Sequence, residues 1–243
     1  MSTRLTDVVI DATDPLALAR FWAELLDWRV SRVDLPEVDV TPPPDDGSAF
    51  DLSFVQVAEP KTRKNRLHLD LSSAAPDQQM VLVERALALG ATRVDIGQRN
   101  VPWIVLADPA GNEFCVLEPR PEYADTGALA AVVVDAVSPD ELAAFWSAAT
   151  GWPVGRKAAL QAPNGRGAWL EFLHTDEPPV QLAGKNRLHL DVAPAAADDH
   201  AAEVATLLSL GATRIDIGQG AVPWVVMADP EGNEFCVLTP RDP

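Results

Sequence analysis

The stretch KNRLHLDL at residues 64–71 returns as KNRLHLDV at residues 185–192, which is 121 positions further along the chain (64 to 185). Two other segments repeat at the same offset. LGATRVDIGQ returns as LGATRIDIGQ, and VPWIVLADPAGNEFCVL returns as VPWVVMADPEGNEFCVL. A repeat of this length is far too long for the unit of a solenoid and has the size of an ordinary domain. The chain is therefore predicted to be one domain written twice.

The two copies are predicted to span residues 1–121 and 125–243, with a polar, proline-containing linker at about 119–126. Near the start of each copy the Phe-Trp pair recurs at an offset of 124 rather than 121 positions (22 to 146). The difference in length must therefore lie in the divergent middle of each copy, at about residues 30–63 and 154–184.

Hydrophobic periodicity within a copy predicts the order β-α-β-β-β, twice per copy and four times in the chain. In the first copy the predicted strands lie at residues 5–10, 29–33, 51–57, 66–71, 93–95, 101–107 and 112–117, and the predicted helices at 15–26 and 77–89. Asp14 and Pro15 are typical of a helix start, and Gly90 of a left-handed helix end. Trp22 and its equivalent Trp146 fall on the buried face of a helix. They are predicted to be core residues, as are Trp28 and Trp152 at the end of the same helices.

The composition excludes several classes of partner. Hydrophobic residues make up 47% of the chain, but no apolar run approaches the ~18–20 residues of a membrane span. A net charge of −17 argues against nucleic acid, because phosphate binding needs clustered lysine and arginine. The first residues lack the features of a signal peptide, so a soluble, cytoplasmic protein is expected. A chain with two copies can complete its sites alone, which favours a monomer, with a homodimer as the alternative.

Two motifs carry a family resemblance. The helix start D-x-x-x-L-A-x-F-W at residues 14–22 and the hairpin ADPAGNEFCVL at residues 107–117 resemble the vicinal-oxygen-chelate superfamily of glyoxalase I, the bleomycin-resistance proteins and the extradiol dioxygenases. With KNRLHLDL they look like the bacterial glyoxalase-like domain subfamily, once in each half of the chain. The resemblance implies an α+β fold of tandem glyoxalase-like domains. Each domain would consist of two β-α-β-β-β modules that form a cupped mixed sheet, with helices outside and a ligand inside.

The resemblance also implies where a metal would lie, since metal-dependent members place one ligand on the first strand and one on the last strand of each module. The matching positions are Asp7, Asp51 (or Ser53 or Gln56), His68 and Cys115 in the first copy, and Ala131, Trp169 or Glu171, His189 and Cys236 in the second. Both cysteines stand where metal-binding members usually have glutamate, and alanine cannot ligate. The metal candidates are therefore Asp7, Asp51 and His68, with a possible divalent ion in the first copy and none in the second.

His68 and Asp70 are the candidate catalytic residues. On a strand Arg66, His68 and Asp70 point to one face and the leucines between them to the other. The leucine face should pack under the helices, which leaves the imidazole and the carboxylate facing the ligand. Such a pair could orient a ligand, move a proton or bind a metal. The alternative is a histidine that only ties adjacent strands together.

The candidate ligand-binding residues are Asp7, Arg66, Trp103, Cys115, His189, Asp191, Trp224 and Cys236. Trp103 and Trp224 either stack on a flat ligand or pack at the rim. Asn65 and Arg66 are expected to hydrogen-bond the neighbouring hairpin, and Arg66 could equally grip an anionic ligand. The two cysteines lack a neighbour that would lower the pKa of a thiol, and the favoured interpretation is a buried small residue rather than a nucleophile.

Two functions of different classes fit these residues. The first is a binding protein that sequesters an aromatic metabolite or an antibiotic. The tryptophans and the incomplete metal positions favour it. The second is a metal-dependent lyase, isomerase or dioxygenase acting in the first copy, for which His68, Asp7 and Asp51 are the motivation.

Overall fold

The computed structural model of the chain describes residues 3–176 and 185–242, so the last part of the second divergent stretch lies outside the described residues. The predicted order β-α-β-β-β occurs four times, which confirms the α+β fold and the tandem modules. In the first copy the elements are β1 (Thr3–Ala12), α1 (Pro15–Leu26), β2 (Arg29–Asp34), β3 (Glu37–Thr41), β4 (Asp51–Gln56), β5 (Leu67–Leu71), α2 (Pro76–Ala88), β6 (Thr92–Arg93), β7 (Ile104–Ala107) and β8 (Glu113–Val116). In the second copy they are β9 (Leu129–Ala136), α3 (Pro139–Thr150), β10 (Val154–Arg156), β11 (Ala159–Leu160), β12 (Trp169–His174), β13 (Leu188–Pro194), α4 (His200–Ser209), β14 (Thr213–Arg214), β15 (Val225–Ala228) and β16 (Glu234–Val237). A short 3-10 helix, Pro121–Tyr123, lies between the copies.

Local sequence accounts for most element boundaries. Helix α1 begins at Pro15, where the carboxylate of Asp14 accepts a hydrogen bond from the backbone N–H of Ala17 at 3.0 Å. Gly90 follows the end of α2 with φ 108°, a conformation that favours glycine. Strand β3 is absent from the sequence-based expectation, because it is short, charged and flanked by prolines. Strand β7 begins three residues later than predicted, since Pro102 has no N–H for a ladder.

The strands form two eight-stranded mixed sheets, and each sheet consists of one module from the first copy and one module from the second. The first sheet has the order β14-β15-β16-β13-β1-β4-β3-β2, and the second β10-β11-β12-β9-β5-β8-β7-β6. At the centre of the first sheet β1 runs antiparallel to β13, and at the centre of the second β5 runs antiparallel to β9. The prediction that each copy closes a sheet and a pocket of its own is therefore wrong.

The two modules of one copy remain joined on the helical side of the sheets. The indole N–H of Trp22 in α1 donates to Asp108 Oδ2 in the β7–β8 turn at 3.2 Å, and Trp146 donates to Asp229 in the same way at 3.2 Å. The rings of Trp22 and Phe114 meet edge to face, with their centroids 5.1 Å apart. Trp22 and Trp146 are 1% and 2% exposed, which confirms them as core residues, and Trp28 and Trp152 are buried as well.

One hydrophobic core runs through all four modules and contains the residues of each sheet that face the helices. The leucines of β5 belong to this core, whereas His68 and Asp70 lie on the opposite face of the strand, as predicted. Each sheet therefore has a helix-covered face and an open face. Among the helices of the described residues, none is long and apolar enough to cross a membrane.

Candidate functional site

Each open face carries a histidine, an aspartate and a cysteine at its centre. On the second sheet Asp70 of β5 pairs in register with Cys115 of β8, and His68 lies two residues before Asp70. The corresponding set on the first sheet is His189, Asp191 and Cys236, with the same register. Within each set the potential ligand atoms lie within 4.8 Å of one another. The identical segments that define the repeat thus place identical polar groups on both faces.

The strand beside each set comes from the other copy, and here the two faces differ. On the first sheet, β1 places Asp7 opposite Asp191, and β4 adds Asp51 in the same row. Asp7 and Asp51 therefore accompany the histidine of the second copy. The prediction that they share a first-copy site with His68 is wrong, because β1 pairs with β13 rather than with β5.

On the second sheet the equivalent positions are apolar. Strand β9 places Ala131 opposite Asp70, and β12 places Trp169 in the position that corresponds to Asp51. Glu171 lies two residues after Trp169 on β12 and corresponds to Ser53 of β4. Glu171 pairs with Val133 of β9, and Ser53 pairs with the equivalent Val9 of β1. The two faces therefore have the same polar residues on the strands of the second modules and different residues on the strands of the first modules.

We use the name acidic face for the open side of the first sheet around His189. It consists of Asp7, Asp39, Asp51, Ser53, His189, Asp191 and Cys236. The hydroxyl of Ser53 lies 3.0 Å from Asp7 Oδ1 and 2.9 Å from Asp39 Oδ1, yet it has one hydrogen to donate. Burial, followed by the charge of Asp191, raises the pKa of Asp7 to about 7. The pKa of Asp7 therefore lies well above that of an ordinary aspartate, although the hydrogen bond that Ser53 donates lowers it.

We use the name aromatic pocket for a cavity of about 530 Å³ on the open side of the second sheet. The residues that matter for its chemistry are His68, Asp70, Trp103, Cys115, Arg120, Tyr123 and Glu171. The structure therefore brings together four of the candidates taken from the first copy. Arg120 and Tyr123 were missed, because the linker between the copies was interpreted only as a connector.

Tyr123 is the only tyrosine of the chain and is 8% exposed. Its hydroxyl donates to the carboxylate of Glu171, with distances of 3.0 and 3.2 Å to the two oxygens. The guanidinium of Arg156 lies 4.8 Å from the ring centre of Tyr123 and 4.6 Å from that of Trp169. Burial, followed by the charge of Glu171, raises the pKa of Tyr123 to about 12, so the hydroxyl stays protonated. The one signal in the sequence that could have identified Tyr123 as a pocket residue is the position of the single tyrosine in the linker.

The imidazole of His68 faces Asp70, with Nε2 3.4 Å from Asp70 Oδ1. Burial lowers the pKa of His68, but the interaction with Asp70 and the charge of Asp135 outweigh it, so that the pKa lies above its ordinary value. The contact is a long ion pair, and Asp70 Oδ1 is buried without a hydrogen-bond partner among the described residues. The pocket therefore contains a polar group whose hydrogen bonding is incomplete.

The thiols of Cys115 and Cys236 are each 6% exposed. Burial, followed by the charge of the neighbouring aspartate, raises the pKa of both thiols far above its usual range. Both cysteines are therefore protonated at neutral pH, in agreement with their interpretation as buried small residues rather than nucleophiles.

Two ligand-binding candidates lie elsewhere. The guanidinium of Arg66 donates to the backbone oxygen of Asp135 at 3.0 Å and contacts Glu231, which ties it to the next module. Arg66 therefore makes a contact with the neighbouring β15–β16 hairpin, which was one of its two expected roles, and its role in holding an anionic ligand stays a prediction. Trp224 is 38% exposed. The amide of Asn65 donates to Asn112 in the β7–β8 hairpin at 3.0 Å, as predicted.

The donor chemistry fits a divalent cation on the acidic face better than in the aromatic pocket. Asp7 and Asp51 lie in the same row of the first sheet as Asp191, beside the set of His189, Asp191 and Cys236, whereas Ala131 and Trp169 take the equivalent positions beside the set around His68 and offer no ligand. The prediction that the second copy lacks a metal site assumed that Ala131 stands beside His189. Because β13 pairs with β1 and not with β9, Ala131 does not stand beside His189, and that prediction loses its reason.

The fold is similar to that of solved glyoxalase structures. Glyoxalase I from Zea mays is similar in structure, with 16% identity, a TM-score of 0.68 and coverage of 98% of this chain and 92% of that chain. A mutant of the same enzyme gives 15% identity and a TM-score of 0.67, with 98% and 94% coverage. A glyoxalase-related enzyme from Fulvimarina pelagi has 18% identity and a TM-score of 0.41, with 52% and 96% coverage. At these identities the likeness to the two Zea mays structures shows the fold alone.

The family model of the glyoxalase-like domain matches the chain twice, at residues 7–117 and 131–238. The chain therefore belongs to the glyoxalase-like domain family and carries two tandem copies of the domain. A comparison with curated proteins finds no significant match.

Proposed function

We propose that the protein binds a small aromatic molecule reversibly in the aromatic pocket and thereby sequesters a metabolite or an antibiotic. The observation that carries the proposal is the pocket itself. Its volume of about 530 Å³ suits a small organic ligand, and Trp103 and Tyr123 supply aromatic walls around the polar pair of His68 and Asp70. An apolar wall with a few convergent polar groups is the usual form of a small-molecule site.

The chemistry of the pocket favours binding without a covalent step. The thiol of Cys115 is buried, and burial, followed by the charge of Asp70, raises its pKa by more than Arg120 and Lys64 lower it, so the thiol is protonated. Ala131 and Trp169 occupy the positions at which the acidic face has carboxylates. These features support a binding site in which His68 and Asp70 orient the ligand.

The test is a titration with planar aromatic compounds, followed through tryptophan emission. Trp103→Phe is the informative variant, since Trp103 lines the pocket. Trp224→Phe is the matched control, because Trp224 is its equivalent in the second copy. We expect saturable quenching that is largely lost in Trp103→Phe and kept in Trp224→Phe. If no compound changes the emission of the native protein, the proposal fails.

A second candidate function is a metal-dependent lyase, isomerase or dioxygenase that uses the acidic face. The observation that favours it is the convergence of Asp7, Asp191 and His189, in which the buried carboxylates repel each other. These three side chains would hold a divalent ion, and such an ion supplies a Lewis acid that polarises a substrate oxygen. Ser53 would orient the carboxylate of Asp7.

Metal analysis of protein purified without chelator tests this candidate. We expect a stoichiometric divalent metal that is lost in His189→Ala and retained in His68→Ala. The two histidines occupy equivalent positions in the repeat, so the pair of variants is matched. A metal that disappears in His68→Ala instead, or native protein without metal, would argue against the acidic face as a metal centre.

A further inference from the structure

We infer that the aromatic pocket selects a neutral planar aromatic ligand that carries a hydroxyl or amino hydrogen-bond donor, held between Asp70 and a wall supplied by the linker between the copies. This inference rests on the small-molecule binding proposed above and specifies the class of ligand. It follows from the hydrogen-bonding state of the polar groups around the pocket and from the position of the linker.

The polar groups that reach the pocket are mostly satisfied. Arg120 is bound through two hydrogen bonds to Glu118, at 2.7 and 3.2 Å. Lys64 forms an ion pair with Asp135. Because the charges of Arg120 and Lys64 are already compensated by carboxylates, these side chains do not favour an anionic ligand.

Asp70 is the exception. It is 8% exposed and lines the pocket, and its Oδ1 atom is buried; the imidazole Nε2 of His68 lies 3.4 Å away as a long ion pair, but no described residue donates a hydrogen bond to this oxygen. A buried carboxylate oxygen without a donor is costly, and a ligand that donates a hydrogen bond to it removes that cost. The carboxylate of Glu171 lies on the same side and is held by Tyr123 and Arg156. Two carboxylates in one pocket favour a donor and disfavour an anion.

The aromatic character comes from the linker as much as from the strands. The guanidinium of Arg120 lies 5.5 Å from the ring centre of Trp103 and 5.9 Å from that of Tyr123, so the three side chains form one continuous stack. Both Arg120 and Tyr123 follow β8, in the segment that connects the copies. A planar ligand can extend this stack by contact with the aromatic rings.

The acidic face differs in its described residues. The residue that corresponds to Arg120 is Arg241, at the offset of 121 positions, and among the described residues Arg241 makes no cation–π contact of the kind that Arg120 makes with Trp103. Asp191, the equivalent of Asp70, is likewise buried, and its Oδ1 atom lies 3.3 Å from His189 Nε2 without a hydrogen bond from any described residue. The two aspartates are therefore a matched pair that differs in its surroundings, which makes Asp191 a suitable control.

Three compounds with one ring system separate the alternatives. 2-Naphthol donates a hydrogen bond, 2-methoxynaphthalene does not, and 2-naphthoate is an anion at neutral pH. Their Kd values are measured by calorimetry with the full chain, native and as Asp70→Asn, Asp191→Asn and Tyr123→Ala. A hydrogen bond to a charged acceptor corresponds to about ten-fold or more in affinity.

We expect the native protein to bind 2-naphthol about ten-fold more tightly than either other compound. In Asp70→Asn this preference should fall below about three-fold, whereas Asp191→Asn should keep it. Tyr123→Ala should weaken all compounds that bind, because the wall is lost. Thermal melting of each variant checks that it folds. If Asp70→Asn does not fold, the relative affinities of the native protein for the three compounds still decide the question.

Equal affinity for 2-naphthol and 2-methoxynaphthalene, or tighter binding of 2-naphthoate, would overturn the inference while leaving reversible aromatic binding intact. Loss of the preference in Asp191→Asn would overturn it as well. If none of the three compounds binds, the proposed function itself is contradicted, and this inference with it.

Discussion

The carboxyl of Asp7 makes the stability of the protein depend on pH. Burial, followed by the charge of Asp191, raises its pKa from the ordinary value of 3.8 to about 7 in the folded chain. Between these values the folded chain holds a proton that the unfolded chain has released. Stability therefore falls as the pH rises through this window and levels off above about 7. At about 1.4 kcal/mol per pKa unit, the whole window corresponds to about 4 kcal/mol, of which about 3 kcal/mol falls between pH 5 and pH 8.

Asp7→Asn removes this titration, because an amide does not ionise. Urea unfolding of both proteins at pH 5, 6.5 and 8 measures the effect. From pH 5 to pH 8, the native protein should lose up to about 3 kcal/mol more stability than the variant. Burial raises the pKa of Asp51 too, but Asp51 titrates in both proteins and cancels in the comparison.

Asp176→Asn is the control, since the side chain of Asp176 is exposed, and its pH profile should match that of the native protein. If the native protein and Asp7→Asn lose stability equally across this range, Asp7 does not hold the proton that we assign to it.

Two further substitutions test how the core and the pocket are supported. Trp22→Phe removes the indole that donates to Asp108 in the hairpin, and should lower the free energy of unfolding in urea by about 2–4 kcal/mol. Trp146→Phe makes the same change in the second copy and should cost a similar amount. Unchanged stability in both variants would contradict the role of this contact. Gly155→Ala places a Cβ atom 2.7 Å from the ring of Trp169, and should cost about 1–3 kcal/mol in a thermal or urea melt. An unchanged melting curve for Gly155→Ala would show that the ring moves freely.

Much of the fold could be predicted from the sequence, because period and spacing carry local information. The alternation along β5 placed His68 and Asp70 on the open face and the leucines in the core, as the structure has them. Trp22 was predicted to be buried from helical spacing alone. These inferences depend only on which face a side chain takes within its own strand or helix.

The partners of the central strands could not be predicted in the same way. β5 and β13 have almost the same sequence, LHLDL and LHLDVAP, so β1 meets the same side chains whichever of the two it pairs with. Local pattern contains nothing that distinguishes the two pairings, and the choice lies in how the four modules pack together. For this reason Asp7 was assigned to the wrong histidine, and Tyr123 of the linker was not recognised as a wall of the pocket.

The exchange of modules between the copies also explains how two similar domains present two different faces. The strands of the second module repeat almost unchanged between the copies and supply the histidine, the aspartate and the cysteine, whereas the helices α2 and α4 differ in sequence. The first modules contain the divergent stretches, and each lies beside the second module of the other copy. Each face is thus a constant half beside a variable half, so that Asp7 and Asp51 on one face correspond to Ala131 and Trp169 on the other. A change in a first module alters only one face and leaves the constant set intact. The difference in ligand between the two faces should therefore be determined by β1 to β4 on one sheet and by β9 to β12, with the linker, on the other.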